Sequence, residues 1–182
     1  VADAERSVLD VGCGPGLLAW LLAARGFAGG YVGVDPDGRK IARARAWLGE
    51  TQARSFVDGR VEALGEDGVD RAAIVDVLYL VPRPARPVLV AQVASRLAPG
   101  GRLVVLTSGG GPRWKREVDR AQERAAVLLG VTRGEVVAPC DGAEVAALLE
   151  GAGLVDVRVE DAGAGLAHGF ELVSGRRATP RP

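Results

Sequence analysis

The chain has 182 residues, 48% of them hydrophobic and 25% charged, enough to bury one sizeable core and in the range of a single globular domain. Lys plus Arg and Asp plus Glu number 23 each, so no overall basic field draws the protein onto nucleic acid, and a polynucleotide substrate is disfavoured. Cys13 and Cys140 form no CxxC pair and His168 is the one histidine, which leaves little from which to build a zinc site or a disulfide framework.

A reducing, cytoplasmic setting without metal is therefore expected. No apolar run reaches the ~18 residues that cross a bilayer, and Val1 to Arg6 lacks the basic-then-apolar order of a signal peptide, so no membrane insertion is expected. The chain contains no methionine, begins at Val1 and enters its first strand by Ser7, the pattern of a sequence that lacks an N-terminal piece.

In chain order, apolar runs bounded by Gly or Pro alternate with amphipathic stretches, the signature of βα units around a parallel sheet. A strand is predicted over Ser7 to Val11, then a helix from about Gly16 to Arg25. A second strand, Tyr31 to Val34, closes at Asp35-Pro36, and Asp37 has the character of an N-cap for a helix running to about Leu48. A short third strand ends near Asp58. Ala72 to Leu78 is almost unbroken in its apolar character, as in a central strand covered on both faces.

After Pro82, Pro84 and Pro87 a helix is predicted to about Leu97. Pro99-Gly100-Gly101 should break it before a strand over Arg102 to Thr107. Gly109 to Pro112 reads as a flexible link, followed by a charge-rich amphipathic helix from Arg113 to Leu129. Another helix is expected over Gly142 to Ala152, then strands Val155 to Val159 and Phe170 to Ser174. About ten residues separate those two, too few for a crossover helix, so they should pair antiparallel. The tail 176–182 is polar and Pro-containing and is expected to be disordered, leaving 1–175 as one domain.

Val8-Leu9-Asp10-Val11-Gly12-Cys13-Gly14-Pro15-Gly16 sets three glycines at alternate positions between a strand and a helix. Such glycines permit a tight turn and close backbone approach to a ligand, and the helix N-terminus behind them favours a negatively charged group. A dinucleotide fingerprint GxGxxG would require Gly or Ala at position 17, which is Leu. The spacing is DxGxGxG instead.

That spacing resembles the first motif of the class I S-adenosylmethionine-dependent methyltransferases, and the likeness in element order extends over nearly the whole chain. Asp35, in Val32-Gly33-Val34-Asp35-Pro36, stands where that family holds the ribose hydroxyls. A carboxylate can accept from two vicinal hydroxyls at once. Leu97-Ala98-Pro99-Gly100-Gly101-Arg102-Leu103 is similar to the family's turn into its fifth strand. The resemblance implies a Rossmann-like, doubly wound α/β fold. Its seven-stranded sheet would be mostly parallel, with an antiparallel C-terminal strand and helices on both faces.

It also implies S-adenosylmethionine as cofactor, held by Asp10, Gly12, Cys13, Gly14, Gly16, Asp35 and Pro36. One departure stands out: where the family has an acid after a Gly beyond strand three, to recognise the adenine amino group, Gly59 is followed by Arg60. Asp58 is the preferred substitute, with Glu62 or a backbone amide near Val61 as alternatives. Asp76 and Val77 fall where the family places residues beside the methionine part of the cofactor.

Cys13 and Cys140 are expected to be inert small side chains. His168 and Tyr79 are the candidate general bases, each weighed against a solvated or structural role. Arg113 and Trp114 are substrate-side candidates, weighed against a charged surface helix. The function implied is methyl transfer to a small-molecule acceptor; a macromolecule-directed methyltransferase and a non-catalytic cofactor- or partner-binding domain are the alternatives.

Overall fold

The structure is a computed structural model and describes residues 6–65, 68–108, 138–163 and 169–180. The first apolar run forms β1 (Ser7–Val11), and the glycine loop leads into α1 (Leu17–Ala24). β2 (Gly30–Asp35) and α2 (Gly38–Leu48) follow. Asp37 caps α2 as its side-chain type requires, accepting from the Arg39 N–H at 3.0 Å. After β3 (Arg54–Asp58) come β4 (Val69–Val75), α3 (Arg86–Ser95) and β5 (Leu97–Ser108). α4 (Gly142–Gly151), capped by Asp141, precedes β6 (Leu154–Asp161) and β7 (Phe170–Arg177).

The seven strands form one sheet in the order β3-β2-β1-β4-β5-β7-β6. β1, β2, β3, β4 and β5 run parallel; β7 lies antiparallel to both β5 and β6. The fold is thus the Rossmann-like architecture expected, with the antiparallel C-terminal pair where the short connection demanded it. Alternation along β1 divides the interior in two. Leu9 and Val11 join the larger core under α3 and α4, with Ile74, Val90, Leu103, Val145 and Leu149. Val8 faces the other side, where α1 and α2 enclose Ala19, Tyr31, Ile41, Ala44 and Phe56.

Three boundaries differ from expectation. β4 spans Val69–Val75 rather than Ala72 to Leu78, because Asp76 takes a left-handed φ of 57° and Leu78–Leu80 turns as a 3-10 helix. Leu78 is still buried in the core, so the apolar run continued past the strand that began it. β5 starts at Leu97 instead of Arg102: Pro99-Gly100-Gly101 forms a bulge inside the strand, where the register passes from Val69↔Leu97 to Arg71↔Arg102. At the C-terminus, Arg176 and Arg177 belong to β7 and pair with Val155 and Leu154, so ordered structure reaches two residues past 175. The region expected to hold the helix Arg113 to Leu129 lies outside the described residues.

The crossover from β3 to β4 is the shortest of the parallel connections. Ten residues, 59–68, join the two strands across β2 and β1, and among those described the regular element is the 3-10 turn Val61–Ala63. Most such crossovers carry a full helix. Val61 of this turn is buried in the core that α3 covers, and the turn packs beside α3.

Arg86, the first residue of α3, is fully buried, and each of its three guanidinium nitrogens makes a hydrogen bond. Its Nε donates to the Val81 carbonyl at 3.0 Å, Nη1 to Glu144 Oε1 at 2.5 Å, and Nη2 to the Ala138 carbonyl. The guanidinium thereby holds together the turn before α3, the residues before α4, and α4 itself. Arg86→Ala would leave two carbonyls and a carboxylate without their donor and should cost about 2 to 3 kcal/mol. Glu144 is one-third exposed and rehydrates, so Glu144→Gln should cost under about 1 kcal/mol. Urea unfolding of both variants checks the ranking; equal costs would mean that the carbonyl bonds contribute nothing.

Candidate functional site

The parallel strands β1, β2, β3 and β4 end at one edge of the sheet, and the loops there shape a cleft of about 470 Å³, within the range of small-molecule sites. A hollow of about 130 Å³ beside the N-terminal ends of β2 and β3, lined by Leu22, Phe27, Tyr31 and Arg54, is too small for a nucleoside.

The glycine loop borders the larger cleft. Gly12, Gly14 and Gly16 all have left-handed φ, at 74°, 55° and 90°, which glycine adopts without the penalty of a Cβ. Their surroundings differ in a way the motif alone does not reveal. A Cβ on Gly12 would meet Val77 Cγ2 at 2.4 Å, and one on Gly16 would meet Leu48 and Phe56; one on Gly14 would meet nothing within 4 Å. A side chain on Gly12 or Gly16 would thus collide with the protein itself, while the Gly12 backbone also lines the cleft. Gly14 is buried, with room where a Cβ would project.

Two carboxylates underlie the loop. Asp35, at the end of β2, accepts from the Gly14 N–H at 3.0 Å through Oδ2 and from the Asp37 N–H at 2.8 Å through Oδ1. Each oxygen keeps a second lone pair. Asp10, in β1, is 2% exposed and accepts from the Tyr31 hydroxyl at 2.6 Å. Burial pushes its pKa up to about 6; the Tyr31 hydrogen bond opposes that rise and the charge of Asp35 adds to it. Burial, then the charges of Asp10 and Asp35, push the Cys13 thiol up to about 12. It remains a thiol. Cys140 is pushed up to about 11, chiefly by burial.

Of the residues singled out from the sequence, Gly12, Pro36, Val61 and Val77 line the cleft. Arg60 and Glu62 line it too. Asp58, the acid preferred from the sequence, is exposed and sits against the start of α2, where a Cβ on Gly38 would meet its Oδ2 at 2.4 Å. Glu62 is thus the acid on the cleft wall. Asp76 ends β4 in its strained conformation, and crowding around its carboxyl raises its pKa. Tyr79 is half-buried in the following turn, its carbonyl accepting from the Ala138 N–H at 3.1 Å. His168, Arg113 and Trp114 lie outside the described residues.

The far wall was not legible in the sequence. Leu80, Val88, Leu89 and Gln92 reach the cleft because the short β3–β4 connection leaves the turn at Val61 facing α3. Their spacing, taken alone, reads as an ordinary helix face.

Comparison with known proteins gives the same frame. Residues 8–101 match the model of a methyltransferase domain. An uncharacterized methyltransferase of Mycobacterium ulcerans is 37% identical over 103 residues, 56% of this chain and 39% of that protein. A ubiquinone biosynthesis O-methyltransferase of Xylella fastidiosa is 36% identical over 102 residues, 55% of this chain and 41% of that protein. The chain thus matches about two-fifths of the length of these curated relatives. Among solved structures, a methyltransferase from Methanosarcina mazei superposes with a TM-score of 0.71 at 19% identity, over 97% of this chain and 94% of that one. Human N-acetylserotonin methyltransferase gives 0.69 at 20% identity, over 97% and 49%.

The Asp10 site predicts a pH dependence. A carboxyl whose pKa is higher folded than unfolded binds more protons in the native state, so its contribution to stability is present at low pH and lost as pH rises through the folded value. Relative to Asp10→Asn, the natural chain should lose on the order of 3 kcal/mol between about pH 4 and pH 7. Denaturant titrations of both chains across that range check it; a constant difference would place Asp10 in contact with water.

Proposed function

The chain belongs to the class I S-adenosylmethionine-dependent methyltransferase family, and from that premise we propose that its cleft holds S-adenosylmethionine and that the protein transfers the methyl group to a small-molecule acceptor. The observation that carries this reading is the braced loop beside a cleft of nucleoside size: Asp35 holds the Gly14 N–H, and Gly12 of the same loop lines the cleft.

The residues present fit such a group. The free lone pairs of Asp35 suit two ribose hydroxyls, since both oxygens are held in place by backbone N–H groups. Pro36, Val61 and Val77 offer apolar surface to a purine. Glu62 takes the part of the acid at the adenine amino edge, with Arg60 beside it. Asp76 stands toward the methionine end. When bound, the cofactor supplies an electrophilic methyl group on a sulfonium. The protein's part is to align an acceptor and exclude water, which is catalysis by positioning. Tyr79 and His168 are the proposed groups for removing a proton from an oxygen or nitrogen acceptor.

A small acceptor is supported by the cleft's volume, the absence of a net basic charge, and the O-methyltransferase of ubiquinone biosynthesis among the relatives. Two free, buried cysteines and described helices that are all too short or polar to cross a bilayer support a cytoplasmic setting.

Calorimetric titration with S-adenosylmethionine and S-adenosylhomocysteine, with NAD as control, tests the reading. Binding by the first two and not by NAD is expected; NAD binding alone would overturn it. Asp35→Ala should weaken binding by about 1 to 3 kcal/mol, roughly fivefold to 150-fold. Gly14→Val should abolish it while the chain stays folded by circular dichroism. Glu62→Ala should weaken binding more than Asp58→Ala, and the reverse order would return the adenine contact to Asp58.

A further inference from the structure

α1 has the sequence Leu-Leu-Ala-Trp-Leu-Leu-Ala-Ala. A helix that is apolar all round is ordinarily buried all round, yet the stripe Leu17, Trp20, Leu21 and Ala24 faces outward. Leu17 is 56% exposed, Trp20 44% and Leu21 42%. Trp47 of α2, 54% exposed, stacks on Trp20 with ring centroids 6.0 Å apart and planes 23° from parallel. The two indoles fuse the outer surfaces of α1 and α2 into one apolar patch. Scattered single hydrophobics need no explanation; a contiguous group of this kind marks a contact surface.

The charge beside the patch has one sign. α2 carries Arg39, Lys40, Arg43 and Arg45, and neither α1 nor α2 contains an acid. Lys40, Arg43 and Trp47 fall at helical spacings of three and four, on one side of α2. Lys40 and Arg43 are exposed and form no ion pair among the described residues. The flanking acids are engaged: Asp37 with Arg39, and Glu50 with Arg45 and the Phe56 N–H.

This combination decides between occupants. A second copy placed symmetrically on the patch would set the same surface against itself, bringing Lys40 and Arg43 of both copies together with no acid to offset them. A nucleic acid would use the tryptophans and the cations but leave Leu17 and Leu21 in water. An anionic bilayer surface uses all of them. Leucines and indole bodies enter the headgroup–acyl boundary, and basic side chains reach the headgroup charges.

We propose that the outer face of α1 and α2, built on Leu17, Trp20, Leu21 and Trp47 with Lys40 and Arg43, docks the protein peripherally on an anionic lipid surface. The face lies on the opposite side of the sheet from α3, which walls the cleft, so docking leaves the cofactor site open. The proposal does not rest on the methyl-transfer reading.

Co-sedimentation of the full chain with phosphatidylcholine vesicles and with equimolar phosphatidylcholine–phosphatidylglycerol vesicles tests it, in low and high salt. Binding to the anionic vesicles, weakened by salt, is expected. Lys40→Glu with Arg43→Glu should reduce partitioning at least about 20-fold. Trp20→Ala with Trp47→Ala should reduce it at least about tenfold. Both variants should keep the circular dichroism spectrum and urea midpoint of the natural chain, which report on their folding separately. The charge variant, altered only at exposed positions, keeps the test valid if the tryptophan variant unfolds. No partitioning onto either vesicle, self-association abolished by Trp20→Ala without lipid binding, or binding to a single-stranded oligonucleotide in place of vesicles would each overturn the proposal.

Discussion

The Asp35 carboxylate ties two turns together, and the geometry of the site follows from that tie. One oxygen holds the Gly14 N–H and the other the Asp37 N–H, so the loop after β1 and the entry to α2 are fixed to the same side chain. Gly12 and Cys13 are held in turn by the Val34 carbonyl at the end of the same strand. The loop is thus suspended from β2 at three points. With the loop so placed, side chains at Gly12 and Gly16 would strike Val77 and the α2–β3 layer, while Gly14 is buried with room where a side chain would project. A carboxylate with two oxygens, each able to accept twice, can serve as both brace and ligand contact. An amide in its place could accept on one side only.

How much was legible in the sequence follows from how local each signal was. β1, the Asp37 cap, α2 and the antiparallel C-terminal pair rest on short-range rules of spacing, capping and loop length, and they fall within a residue or a few of expectation. The end of β4 was not legible, since apolar side chains on either side of Asp76 serve the same core whether they lie in a strand or a 3-10 turn. The bulge at Pro99 to Gly101 was read as a boundary because proline and glycine mark breaks and bulges alike. For the site, the Gly-rich loop and Asp35, both marked in the sequence, are joined by a hydrogen bond, but the different surroundings of the three glycines depend on Val77, Leu48 and Phe56, none of which the motif contains. Glu62 lines the cleft and Asp58 does not, a difference that their positions in the sequence do not reveal.

The β3–β4 crossover also forms part of the cleft wall. Among the described residues of the β3–β4 connection the regular element is one 3-10 turn, and the cleft is lined by Val61 and Glu62 of that turn and by Val88, Leu89 and Gln92 of α3. α3 must then be positioned by other means. Arg86 supplies them, joining the start of α3 to the Val81 and Ala138 carbonyls and to Glu144. The Ala138 N–H meets the Tyr79 carbonyl, and the Thr107 hydroxyl donates to the Cys140 carbonyl at 2.6 Å. The chain before α4 is therefore pinned at the same sheet edge as the cleft, on the side opposite the glycine loop. One buried cation and a few carbonyls replace the helix that a longer crossover would have contributed.

The charge around the loop also separates this site from a phosphate-binding one. Glycine loops at helix N-termini commonly receive anions, because their N–H groups point outward and the helix dipole favours negative charge. Here the Gly14 N–H is already given to a carboxylate, α1 has a glycine rather than a side-chain cap, and Asp10 and Asp35 lie beneath the loop with no Lys or Arg between positions 10 and 16. Asp76 adds a third carboxyl at the end of β4. A pyrophosphate approaching this loop would meet like charge at short range in a medium that screens it poorly. A sulfonium with an ammonium group meets the opposite. The sequence difference that first set the motif apart, a third glycine one position earlier than the dinucleotide pattern allows, thus accompanies a change in the sign of charge the loop can accept.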